Sequence, residues 1–111
     1  MWRRSSIFLS PKPLSAPAVT QALQGLYGWK LRGSTPHIME CDYTFKSFPE
    51  ALDFMLRVSP ICERMQHHPS WTNVYNKIHV ELTTHDAGNN ITQKDVDLAR
   101  EMNKLYSTVN K

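Results

Sequence analysis

Four of the five histidines of this chain fall between positions 67 and 85. Two are adjacent, in His67-His68-Pro69, and two more, His79 and His85, follow within eighteen residues. Imidazole titrates near neutrality, so a histidine can give or take a proton at physiological pH without a large pKa shift. Such a set has three readings: acid/base catalysis, a metal centre, or ordinary polar surface. Zinc sites usually draw on cysteines or carboxylates at short helical or turn spacings, and His-His-Pro is not such a spacing. Spacing alone leaves catalysis and polar surface evenly matched.

The surrounding pattern says what must hold these side chains. Ser47-Phe48-Pro49-Glu50 has the form of a capping box, in which the hydroxyl satisfies one free N–H and the glutamate reaches back to another. The helix it opens carries Leu52, Met55, Cys62 and Met65 on about one face. Pro60 sits inside it, where a missing donor and a crowded carbonyl predict a kink or local opening. Pro69 disfavours helical backbone at His68, so the helix should end beside the histidine pair. Both rings can reach one cleft only if the backbone turns between them.

Residues 71–75 and 78–84 read as strands joined by a two-residue turn at Asn76-Lys77. His79 is a mid-strand residue, read as non-catalytic. His85 lies where strand gives way to loop, a common place for functional groups. Upstream, Ser15 and Pro17 open a first helix with Val19, Leu23 and Leu26 on one stripe, ended by Gly25 and Gly28. Residues 29–32 and 37–45 then read as two strands around Gly33-Ser34-Thr35-Pro36, although Ile38 and Tyr43 break strict alternation. Thr92-Gln93-Lys94-Asp95 is a further capping box before a last helix with Val96, Leu98, Ala99, Met102 and Leu105 inward. The expected fold is α+β: a four-stranded antiparallel sheet covered on one face by three helices.

A length of 111 residues suits one domain. Two cysteines make no disulfide framework, which favours a reducing compartment. No apolar run approaches the ~20 residues needed to span a bilayer. The net charge of +3 is confined to residues 1–14, which hold Arg3, Arg4 and Lys12 and no acid. Residues 15–111 keep 10 basic and 10 acidic side chains, a balance that gives little phosphate-driven affinity for nucleic acid. Residues 1–14 are expected to be a disordered or targeting tail and 15–111 the domain. The expected location is the cytoplasm, with a mitochondrion or other organelle as the targeting alternative.

Glu63-Arg64-Met65-Gln66-His67-His68-Pro69-Ser70-Trp71-Thr72-Asn73-Val74-Tyr75-Asn76-Lys77 resembles the central signature of the pterin-4a-carbinolamine dehydratases. That family has an acidic residue ahead of His-His-Pro, here Glu63, and an aromatic residue after it, here Tyr75. A further histidine follows, here His85, and an aspartate precedes the last helix, here Asp95. The likeness extends to Trp29, to residues 54–58 and to Asp97-Leu98-Ala99, and covers roughly residues 15–108. Gln66 stands where the family often has Asn or Asp, Pro60 is unusual, and the loop from His85 to Asp95 is one residue longer than in animal members.

The resemblance implies dehydration of 4a-hydroxytetrahydrobiopterin to quinonoid dihydrobiopterin, in tetrahydrobiopterin recycling, with no cofactor and no metal. It makes His67, His68 and His85 the proton-transfer and orienting groups. Gln66, Thr83, Thr84 and Asp86 flank them as candidate pterin contacts, and Glu63 and Asp95 as supporting carboxylates. It also implies a homotetramer built as a dimer of dimers, without membrane or direct nucleic-acid binding. The alternative function within the family is a protein-interaction role, as dimerisation cofactor or coactivator of a homeodomain transcription factor.

Overall fold

The structure, a computed structural model, describes residues 12–109. The proposed tail therefore lies mostly outside the described residues. The elements are α1 (Ala16–Gln24), β1 (Lys30–Leu31), β2 (Met39–Thr44), α2 (Phe48–Met65), β3 (Ser70–Val74), β4 (Lys77–Leu82), a 3₁₀ turn at His85–Ala87, and α3 (Gln93–Val109). The strands form one antiparallel sheet in the order β1-β2-β4-β3. The architecture is α+β, four antiparallel strands and three helices, as the sequence pattern predicts.

Alternation on the two central strands decides which face is covered. Met39, Cys41 and Tyr43 of β2 and Ile78, Val80 and Leu82 of β4 point inward and are buried. Glu40, Asp42, His79 and Glu81 occupy the other face. Against the inward face pack Ala51, Phe54, Val58 and Cys62 of α2 and Val96, Leu98, Ala99 and Met102 of α3. Burying each large side chain of this set contributes about 1.5–3 kcal/mol. That core anchors the end of α2, the end of β4 and the start of α3, the three places where the candidate site residues lie.

Three local expectations change. Helical backbone continues through Pro60 without interruption. Leu56, whose carbonyl loses its donor, lies on the exposed side of α2, where water can replace the N–H. The turn between β3 and β4 is Tyr75-Asn76, one residue earlier than expected, because Val74 pairs with Lys77. Tyr75 takes a left-handed backbone (φ 53°), and Asn73 fixes the turn by donating through its Nδ2 to the carbonyls of Tyr75 and Lys77. In β2 the inward set begins at Met39, so Tyr43 keeps the alternation and only Ile38 falls outside it.

Candidate active site

The histidine pair is aimed by the way α2 stops. Gln66 adopts the left-handed conformation (φ 53°, ψ 45°), its N–H donates to Glu63 O, and the His67 N–H donates to Cys62 O at 3.0 Å. This is the Schellman arrangement, which satisfies the last carbonyls of a helix. Its sharp reversal sends successive side chains different ways. His67 turns inward and is 7% exposed, while His68 stays at the surface.

Buried His67 meets Asp95, which lies 28 positions later and is completely buried. Nε2 of His67 is 2.5 Å from Oδ1 of Asp95. The other oxygen, Oδ2, accepts the Thr84 hydroxyl at 2.8 Å and the Thr92 amide at 2.9 Å. Thr92 Oγ1 lies 2.7 Å from Thr84 Oγ1 and accepts the Lys94 amide at 3.2 Å. With the Thr84 proton on Asp95, the Thr92 proton goes to Thr84, and every member of the network has a partner. The capping box expected at Thr92 and Asp95 is thus present, and the same carboxylate also holds a histidine.

His68 and His85 are held more loosely. His68 Nε2 lies 2.8 Å from Glu63 Oε2, and His85 Nδ1 lies 2.7 Å from Asn89 Oδ1. The loop carrying His85 folds back through paired Thr84 and Asn90 and through left-handed Gly88 and Asn89. Each of the three imidazoles therefore has one ring nitrogen against an oxygen acceptor. Among the described residues the other nitrogen has no hydrogen-bond partner: Nδ1 of His67 and His68, Nε2 of His85. All three line one open cavity of about 310 Å³, together with Gln66, Pro69, Ser70, Thr83, Thr84, Asp86 and Lys94. That volume is at the small end of ligand pockets.

The comparisons with known proteins point to one family. The family model "Pterin 4 alpha carbinolamine dehydratase" matches residues 12–105. A protein of Opitutus terrae, assigned by name as a pterin-4-alpha-carbinolamine dehydratase, is 42% identical over 86% of this chain and 95% of its own length. One of Sulfurisphaera tokodaii with the same assignment is 40% identical over 86% of this chain and 99% of its own. The crystal structure of a transcriptional coactivator/pterin dehydratase from Brucella melitensis superposes with a TM-score of 0.81 at 33% identity, covering 86% of this chain and 99% of that one.

This chain belongs to the pterin-4a-carbinolamine dehydratase family.

Within this dehydratase-family domain the residues singled out from the sequence divide by what their side chains touch. Gln66, Thr83, Thr84 and Asp86 all line the cavity. The Thr84 hydroxyl is committed to Asp95. The Thr83 hydroxyl donates to the His37 carbonyl at 2.7 Å. Gln66 Nε2 donates to Glu63 O, which ties it to its own helix end. Asp86 is exposed at the rim. Lys94 and Ser70 also line the cavity and were not singled out. Lys94 could have been found from its place in the first turn of α3, beside Asp95.

Other chemically capable residues lie elsewhere. Tyr75 is exposed at the hairpin and Trp71 packs partly buried against the core. His79 sits on the open face of the sheet, with Nδ1 2.7 Å from Asp42 and Nε2 3.1 Å from Glu81. Those hydrogen bonds, Asp42's first, raise its pKa above the usual histidine value despite some loss from burial. Among the described residues, Glu40, His79 and Glu81 form the group close enough to share a metal ion, and it lies outside this cavity. Arg32 caps its Glu81 at 3.0 Å. Cys41 and Cys62 are buried and unpaired, and burial pushes the Cys41 thiol up to about 11, away from thiolate chemistry.

Proposed function

We propose that this protein is a hydro-lyase that dehydrates 4a-hydroxytetrahydropterins by histidine general acid/base catalysis, with 4a-hydroxytetrahydrobiopterin as the substrate in tetrahydrobiopterin recycling. The observation that carries this reading is the trio itself: three imidazoles on one cavity, each with one nitrogen against an oxygen acceptor and one left for substrate. An oxygen acceptor on one nitrogen selects the tautomer that leaves the other nitrogen a lone pair.

The reaction breaks the C4a–O bond and the N5–H bond and forms C4a=N5. One proton goes to the departing hydroxyl, which leaves as water, and one leaves N5. One imidazole of the His67/His68 pair serves as acid and the other as base, and His85 orients the same atoms. Assistance of this kind supplies roughly 10²–10⁴ in rate. The chemistry calls for no metal or organic cofactor. The experiment that tests this reading is a spectrophotometric assay of carbinolamine dehydration with purified protein. Acceleration over the buffer rate supports it, and a rate equal to buffer refutes it.

The same reading includes assembly as a homotetramer, a dimer of dimers. Phe48, Leu52 and Leu56 form an exposed apolar stripe along α2, and β3 is an edge strand with exposed Val74. Surfaces of that kind favour association. A second reading, a protein-interaction role, draws on the double description of the Brucella structure as coactivator and dehydratase. It would use the α2 stripe and tolerate loss of His67 and His68. Any such role acts through protein and not DNA, given the balanced charge of residues 15–111. We place the protein in the cytoplasm with residues 1–14 a disordered tail, or in a mitochondrion or other organelle with that segment as a targeting signal.

A further inference from the structure

The catalytic cavity has a neighbour. A second cavity of about 210 Å³ is lined by Ile38, His68, Ser70, Glu81, Thr83 and His85. Four of those residues, His68, Ser70, Thr83 and His85, also line the first. The two cavities therefore adjoin across the histidines, and the second ends against the open face of the sheet at Glu81. Its lining adds one carboxylate and one apolar wall, Ile38, to what the first cavity offers.

Glu81 is well held for an acceptor. It lies on β4 paired with Glu40 and Ser70 on the neighbouring strands. Oε1 accepts from Arg32 at 3.0 Å and Oε2 lies 3.1 Å from His79 Nε2. A carboxylate has about four lone-pair positions, so these two contacts fix its orientation and leave capacity for further donors. Its side chain is 25% exposed, so it is open to a ligand without being loosely solvated.

The geometry of a pterin connects the two cavities. C4a, N5 and C6 are consecutive ring atoms. If His67 and His68 exchange protons at the C4a hydroxyl and N5, the substituent on C6 begins one atom beyond N5. With N5 on the His68 side of the pair, that substituent passes His68 and His85, the histidines shared by the two cavities, and enters the second.

We propose that Glu81, with Ser70 beside it, forms a subsite for a hydroxyl-bearing C6 side chain and makes the protein selective for such pterins over those with a plain alkyl group. The side-chain hydroxyls donate to the Glu81 carboxylate, and Ile38 packs against the chain carbons. A site built to bind a hydroxyl discriminates strongly against the analogue that lacks it, because its polar group is then left without a partner. This inference rests on the dehydratase reading.

The test compares two substrates, 4a-hydroxytetrahydrobiopterin and 4a-hydroxy-6-methyltetrahydropterin, in wild type and Glu81→Thr. Threonine suits a strand but is too short to reach the cavity. The readout is the ratio of kcat/KM for the first substrate to that for the second, which a general loss of folded protein does not change. We expect a ratio of about ten or more in wild type, falling to near one in the variant. A wild-type ratio near one, or a ratio unchanged by Glu81→Thr, overturns the subsite while leaving the dehydratase reading intact. Failure to accelerate either substrate overturns both.

Discussion

Oδ1 of Asp95 lies 2.5 Å from Nε2 of His67, while Oδ2 of the same carboxylate accepts the Thr92 amide at the start of α3. One buried side chain thus closes a helix terminus and orients the buried member of the histidine pair. Two substitutions separate the roles. Thr92→Ala removes the cap hydroxyl and leaves the carboxylate in place, so stability should fall by about 1 kcal/mol with turnover per folded molecule largely kept.

Asp95→Asn should do the reverse. The amide preserves the shape but can present an N–H to His67 Nε2, forcing the proton onto Nδ1. Turnover should drop by roughly 10²–10⁴, as when a histidine is held in the wrong tautomer. Steady-state rates corrected for the folded fraction would decide this. Retention of most of the wild-type rate would reduce Asp95 to a cap.

Both halves of this relationship were partly legible. Thr92-Gln93-Lys94-Asp95 announces a capping box, and Pro69 announces a helix end beside two histidines. What local pattern cannot show is that the two meet, because His67 and Asp95 are brought together by α2 and α3 packing on the same face of the sheet. Lys94 had a signal in its place beside Asp95 in the first turn of α3, and the packing of that turn puts it on the cavity. The turn at Tyr75-Asn76 was misplaced by one residue because it depends on the Asn73 side chain and on a tyrosine in left-handed backbone, which propensity disfavours. No local opening forms at Pro60, where helical backbone continues and the carbonyl it orphans lies on the exposed side of α2.

His79 gives a pH prediction independent of catalysis. Its pKa is raised in the folded protein, chiefly by Asp42. A group with a raised folded pKa stabilises fully below its unfolded value, about 6.5, and that contribution is lost as pH rises through the folded value. The urea midpoint should therefore decline from about pH 6.5 upward, and His79→Gln should flatten that decline. An identical pH dependence in the variant would show that the open-face ion pairs contribute nothing.

The apolar stripe on α2 makes a prediction about assembly. Leu56 is 71% exposed in the single chain. Leu56→Glu places a charge at the most exposed position of the Phe48-Leu52-Leu56 stripe, so light scattering should show a smaller particle than wild type, for which the proposed assembly is a tetramer. An unchanged tetramer would move the interface elsewhere.

Chelation supplies a further check. The cavity histidines are each paired with a hydrogen-bond acceptor, and acid/base dehydration draws on no ion. Treatment with a strong chelator should leave the rate unchanged. A loss of activity restored by stoichiometric zinc would replace the acid/base reading with a metal one.

The most direct test is the rate of carbinolamine dehydration by wild type and by the His67→Ala/His68→Ala double variant, each verified by circular dichroism and light scattering to be folded and assembled. We expect the wild type to accelerate the reaction and the double variant to lose roughly 10²–10⁴ of that acceleration, falling to or near the buffer rate. A folded, assembled double variant with wild-type turnover would contradict proton transfer by this pair.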